Sequence, residues 1–168
     1  MGSPLKPFFL GLQSKLKTDV PYVEETRIGL REINLDIGQI DVTATRPAVS
    51  FPWCGIDFSE IQYTQKQFKV QWAKVRVSLR LAFDSWSSTS SLTPDNVKQL
   101  GLAFLDTEDK IYLSLQDWMV EYEQGKFLLM IGLRRISAVT ELREDTLRVR
   151  KLEFECTFED RGLQSAQM

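Results

Sequence analysis

Asp106, Glu108 and Asp109 stand within one helical turn of one another. Grouped carboxylates of this kind serve Mg²⁺ binding or acid–base hydrolysis, but only where oxygens converge from several segments. No second oxygen-rich segment accompanies these three, so they read as the solvated face of a helix. The chain contains no histidine. Imidazole is the commonest general base and metal ligand, and no other side chain has an unperturbed pKa so near neutrality. Its absence excludes Ser-His, Cys-His and His-metal chemistry together. Cys54 and Cys156 lie far apart, without the spacing of a zinc knuckle or a disulfide framework. Both fall in apolar strand patterns and read as reduced, buried thiols packing as small hydrophobes. Glycine-rich phosphate loops and nucleophile elbows are missing as well. The expectation is a protein that is not an enzyme and carries neither cofactor nor metal.

Three further groups have residue types that bind. The run Phe68-Lys69-Val70-Gln71-Trp72-Ala73-Lys74-Val75-Arg76 mixes aromatics with bases, as an RNA-stacking sheet does. Its aromatic and basic positions alternate, which assigns them to opposite faces of a strand and favours a core face backed by a solvated one. Arg134, Arg135, Arg148 and Arg150 make two strands locally basic. They could meet DNA phosphates, or pair with Glu141, Glu144 and Asp145 and with the acids of a neighbouring subunit. The net charge of −2 favours ion pairing. Trp86, within a serine-rich stretch, either folds back onto the core or anchors an interface.

The elements that must position these residues follow from composition and periodicity. A chain of 168 residues, 43% hydrophobic and 26% charged, suits one domain with an ordinary core. Its first residues lack a secretory signal, and its longest apolar runs fall far short of a bilayer span. It reads as a soluble protein made in a cytoplasm, with no membrane partner. Lys6–Lys17 is predicted helical, with Phe8, Leu12 and Leu16 on one face and Pro7 in the first turn. Arg46–Phe51 opens a strand that Trp53, Ile56, Phe58 and Ile61 continue, edge-like at Pro47 and Pro52. Gln67–Phe83 is the clearest strand, and its change of phase at Ala73-Lys74 predicts a β-bulge. Thr93-Pro94-Asp95 starts a long helix to Asp117, capped by the Thr93 hydroxyl. Its apolar stripe of Val97, Leu100, Phe104, Ile111, Leu115 and Trp118 is interrupted at Thr107. Phe127–Glu141 and Leu147–Glu159 form an antiparallel hairpin.

The resulting class is α+β: an antiparallel sheet of about four to five strands packed against a short N-terminal helix and one long helix. Residues 1–160 form the domain, and 161–168 a disordered tail. Residues 27–45 form an inserted long loop, or a loose hairpin, carrying seven aliphatic residues from Ile28 to Val42. That is too many for a segment left in water, so a partner is expected to bury several of them. On this reading the helices and main strands fold without the segment, and deleting Arg31–Gln39 abolishes assembly only.

This order of signals resembles phage tail-terminator and head–tail joining proteins, the group that includes the minor tail protein U of lambda-like phages. The resemblance rests on the helix Phe8–Leu16, the strands Arg46–Phe51 and Val75–Leu81, the helical stretch Leu105–Leu115 and the closing stretch Val149–Asp160. It covers most of the chain as a pattern of elements. It implies a virion protein, assembled in the host bacterial cytoplasm, that forms a homo-hexameric ring at the head-proximal end of a tail tube. Such a ring stops tube polymerisation and joins tail to neck. The implied partners are further copies of itself, the tail tube protein, neck or connector proteins and the sheath protein, with DNA passing through the lumen. Arg31, Leu35, Ile37, Ile40, Trp86, Arg134, Arg135, Arg148 and Arg150 are the candidate interface residues. Another neck component, such as a connector or stopper, is the alternative within the class. A small nucleic-acid-binding domain is the alternative outside it.

Overall fold

The computed structural model describes residues 4–41, 49–68, 70–84, 87–122, 126–127 and 129–160. In chain order the elements are α1 (Leu5–Asp19), β1 (Glu32–Leu35), β2 (Trp53–Gln67), β3 (Val70–Phe83), α2 (Asp95–Leu115), β4 (Glu121–Tyr122), β5 (Lys126–Phe127), β6 (Leu129–Thr140) and β7 (Arg148–Asp160). Five strands form one sheet in the order β1-β2-β3-β7-β6, and β4 pairs with β5 in a small separate ribbon. The architecture is α+β, with a short N-terminal helix and a longer one, as the patterning predicts. The expected antiparallel sheet holds for three of the four pairings, but β1 runs parallel to β2, Glu32 opposite Trp53 through Leu35 opposite Ile56.

That pairing corrects the reading of residues 27–45 as an inserted loop. Leu30, Ile33 and Ile40 are buried on this chain's own sheet. Aliphatic side chains leave water at the first apolar surface within reach, and here the edge of β2 supplies it. The turn before β1 is closed by the Val23 N–H donating to the Ile28 carbonyl at 2.9 Å. Gly29 there has a φ of 111°, and a Cβ would stand 2.1 Å from the Pro21 carbonyl oxygen, so only glycine fits. Its N–H donates to Thr107 Oγ1 at 3.0 Å, and that hydroxyl donates to the Ala103 carbonyl at 2.9 Å. The polar interruption in the helical stripe is thus fully buried and anchors the turn.

The sheet has one face under the helices and one open. Ala73, Val75, Val77, Leu79, Leu81 and Phe83 of β3 alternate toward the helices, facing Cys54, Ile56 and Phe58 on β2 and Leu152, Phe154, Cys156 and Phe158 on β7. Phe8, Leu12 and Leu16 of α1 enter the same core, Phe8 against Phe58 with ring centroids 5.4 Å apart. The predicted bulge at Ala73-Lys74 is not there: β3 pairs with β7 in continuous register from Gln71 to Phe83. The slips lie in β2, between Phe58 and Glu60 and between Gln65 and Gln67, and in β6. Of the even-position apolar residues, Phe68 and Trp72 are exposed, and only Val70, beside the Gln65–Gln67 slip, is buried.

α2 ends at Leu115, so Trp118 sits beyond it, half-buried against the core. Thr93 does not cap the helix: its hydroxyl meets Ser88 Oγ at 2.7 Å, and Pro94 occupies the cap position. Ile111 and Leu115 are fully buried, whereas Phe104 only packs at the core's margin. Ile111→Ala should cost about 2–5 kcal/mol in urea unfolding, and Phe104→Ala less. An Ile111→Ala loss below about 0.5 kcal/mol would place the buried face elsewhere. The β6–β7 hairpin forms, closed by the Glu141 N–H on the Val149 carbonyl at 3.0 Å, but β6 starts at Leu129 rather than Phe127, which pairs in the β4–β5 ribbon.

Candidate interaction surfaces

The densest polar arrangement lies at one end of the open sheet face. Trp53, Ile40, Ala82, Leu147 and Val149 form a second small core there. The Trp53 ring crosses Gly55, where a Cβ would stand 2.3 Å from it. Gly55 pairs with Arg80 of β3, whose guanidinium therefore reaches over a residue without a side chain. It meets three carboxylates. Nε and Nη2 donate to Glu141 at 2.8 Å each, Nη2 and Nη1 to Asp41 at 2.8 and 3.1 Å, and Nη1 to Asp36 at 3.2 Å. Arg143 grips Asp145 at 2.9 and 2.6 Å and donates to Asp41 at 3.4 Å and to the Ile40 carbonyl. The two arginines staple the segment after β1 to the β6–β7 turn.

The Arg80 hydrogen bond, with Arg143 adding to it, holds the Asp41 carboxyl below the usual carboxylate range. A depressed carboxyl stabilises the fold fully above its unfolded value, 3.8, and loses that stabilisation as pH falls through the folded one. Between about pH 6 and about pH 3 the wild type should therefore lose more melting temperature than Asp41→Asn. Equal losses in the two proteins would remove Asp41 from the acid response.

The candidate arginines separate by face. Arg150 lies opposite Leu81, under the helices, and clasps Glu108 of α2 with Nε and Nη2 at 2.8 and 2.9 Å while Nη1 reaches Thr140 Oγ1 at 2.8 Å. Arg135 stacks 4.0 Å over Tyr112, and Arg148 4.5 Å over Phe104. Three of the four thus tie the hairpin to α2. Of these, Arg150 alone meets an acid there, which corrects its assignment to a neighbouring subunit's acids. Arg135 and Arg148 are exposed and meet no carboxylate among the described residues. Only Arg134 stands on the open face, 4.0 Å from Glu155. The acids of the turn, Glu141 and Asp145, are taken by Arg80 and Arg143. Asp106 and Asp109 are solvated as read, but Glu108 is buried, because the register of β7 brings a cation beneath it.

The apolar candidates divide as well. Ile40 is buried under Trp53 and belongs to no outer surface, whereas Leu35 and Ile37 face outward, Ile37 at 77% exposure. Arg31 is exposed, beside Glu24 and 4.2 Å over Tyr22. Trp86, Pro47 and the segment 161–168 lie outside the described residues. Leu142, missed by periodicity because turns have none, is 100% exposed on the stapled turn.

The open face also overturns the separation of aromatics from bases. Trp72, Lys74 and Arg76 fall at alternating positions of one strand and share the face. Lys66 lies 5.4 Å over the half-exposed Trp72 ring. Lys66, Lys74 and Arg76 pair with Glu159, Glu155 and Glu60 at 2.8, 3.1 and 3.5 Å. The count by even and odd positions separated Phe68 and Trp72 from Val75 but not from the bases.

Cys54 and Cys156 are buried free thiols, and burial is the main cause that raises both pKa values, that of Cys156 to about 12. Among the described residues no group of three histidine, cysteine or acidic side chains is placed to hold a metal ion, and no helix is long and apolar enough to cross a membrane. No protein-family model matches the chain, and no curated protein matches it.

Proposed function

We propose that this chain is a structural assembly subunit that forms a hexameric ring at the head-proximal end of a phage tail or related contractile tube, terminating the tube and joining it to the neck. The observation that carries this reading is the stapled end of the sheet. Ile37 and Leu142 face solvent on two segments that Arg80 and Arg143 hold together through carboxylates. Holding apolar side chains rigid in water gains nothing for the isolated chain, whereas a preordered apolar patch with a charged rim lowers the entropic cost of binding another protein. The order of elements, the basis of the resemblance, supports the same role except at the expected strand Arg46–Phe51, whose described residues 49–51 precede β2 without joining a strand. A heterologous ring also needs two different lateral surfaces, and the stapled end and the open charged face differ in this way.

A second reading, nucleic-acid binding, is favoured by one feature, the juxtaposition of Trp72 with Lys66, Lys74 and Arg76 on the open face. Electron microscopy with mass measurement separates the two. The assembly reading expects concentration-dependent rings of six copies that halt elongation of purified tube protein. A chain that stays monomeric at every concentration and binds single-stranded nucleic acid would replace it with the second.

A further inference from the structure

A cleft of about 670 Å³ lies on the helix side of the same end, between α2, residues 87–89 and the β6–β7 turn. Its apolar wall includes Phe83, Leu100, Phe104 and Leu147, and Ser88, Thr89 and Thr146 add hydroxyls. Two guanidiniums line it without an acid to balance them. Arg27 donates Nη1 to Ser87 Oγ at 3.0 Å and Arg148 lies on Phe104, and among the described residues neither meets a carboxylate. The other charges lining it are already matched, Arg143 by Asp145 and Glu141 by Arg80.

We infer that this cleft docks an extended segment of a protein partner in which an aspartate or glutamate is flanked by apolar residues, an inference that rests on the assembly reading above. A guanidinium fork matches a carboxylate or a phosphate with two parallel hydrogen bonds, and the apolar wall beside both arginines favours the singly charged carboxylate of a peptide. A wall of aromatic and aliphatic side chains beside arginine is also the composition that concentrates binding energy at protein interfaces. A phosphate ester fits less well. Many phosphate sites add main-chain N–H groups at helix starts or in turns to their arginines. The helical wall here is residues 100–104, more than a turn beyond the start of α2 at Asp95, where amides are committed to the helix. The wall is firm as well: a Cβ on Gly101 would lie 2.5 Å from the Ser87 carbonyl oxygen, so the 87–89 segment sits directly on the helix.

The test is selection of displayed random dodecapeptides on the full chain, with counter-selection on Arg27→Met/Arg148→Met. Recovered sequences should be enriched in an acid between apolar residues. A synthetic peptide of the recovered consensus should bind about tenfold more weakly for each arginine removed, and weaken similarly when its acid becomes the amide. The Arg27→Lys/Arg148→Lys protein keeps the charge but not the fork. It guards against loss of fold and should also bind more weakly, with an unchanged melting temperature. Equal binding of the acid and amide peptides, no acidic enrichment, or saturation of the cleft by inorganic phosphate in place of peptide would each overturn the inference. Because the readout is peptide binding to single chains, it is independent of ring formation. A chain that forms rings without binding such peptides refutes the cleft alone, and one that binds them yet never assembles refutes the assembly reading.

Discussion

Deleting Arg31–Gln39 is expected to leave no cooperatively folded domain. The deletion removes β1, and with it the parallel pairing to β2 from Glu32 through Leu35. Ile33 leaves the main core, and the Gln13 side chain loses the Ile33 carbonyl that it contacts at 2.7 Å. The Pro52 and Ile56 carbonyls lose the N–H groups of Arg31 and Asp36. Ile40 is drawn off Trp53, and Arg80 loses Asp36. A large buried aliphatic alone is worth about 2–5 kcal/mol, and each buried group left without a partner about 1–3 kcal/mol. Against a total stability of roughly 5–15 kcal/mol, the sum leaves little or none. Circular dichroism and thermal melting of the deletion variant should show loss of the cooperative transition. A variant that melts within a few degrees of wild type would restore the view of this segment as an ornament carried for a partner.

Arg150→Met should be the most damaging single polar substitution, at about 3–5 kcal/mol, because it strands the Glu108 carboxylate beneath α2. Arg150 and Glu108 side chains are 18% and 10% exposed, so water replaces little of what is lost. Removing both charges together, Arg150→Met with Glu108→Leu, should recover most of the loss, since a well-packed apolar pair of similar volume is close to neutral in such places. Urea unfolding of the two single variants and the double variant closes the cycle. If Arg150→Met costs less than about 1 kcal/mol, the pair is a surface contact and α2 is held by packing alone.

The resemblance on which the sequence reading leaned is one of element order, and element order is the part of this fold that periodicity reports well. Four-residue spacing of Phe8, Leu12 and Leu16 marked α1 and its buried face, because a helix with one apolar stripe has one way to hide it. Alternation of Leu152, Phe154, Cys156 and Phe158 marked β7, and the polar turn at 142–146 marked the hairpin, for the same local reason. These were legible because each depends on neighbours within a few positions.

Partners distant in sequence were not. Glu108 looked solvated because its cation, Arg150, stands 42 positions away. Thr107 looked like a flaw in the helix because the amide it receives belongs to Gly29, 78 positions earlier. Arg80 looked like one more outward base on β3, and nothing local signals that Asp36 and Asp41 from one segment and Glu141 from another converge on it. The aliphatic candidates separate into buried and exposed by the same measure. Ile37 remains outward and Ile40 does not, although both belong to one aliphatic series, because only Ile40 has Trp53 above Gly55 to cover it. By itself the sequence determined the helices, the two long strands β3 and β7, and which stripe of α1, β3 and β7 turns inward, since hydrophobic burial follows the period of the backbone, but not β1 or the β4–β5 ribbon. The tertiary structure alone decided which charges are spent within the chain and which still face outward. Desolvation makes a buried charge tolerable only with a partner, and register, not composition, selects that partner.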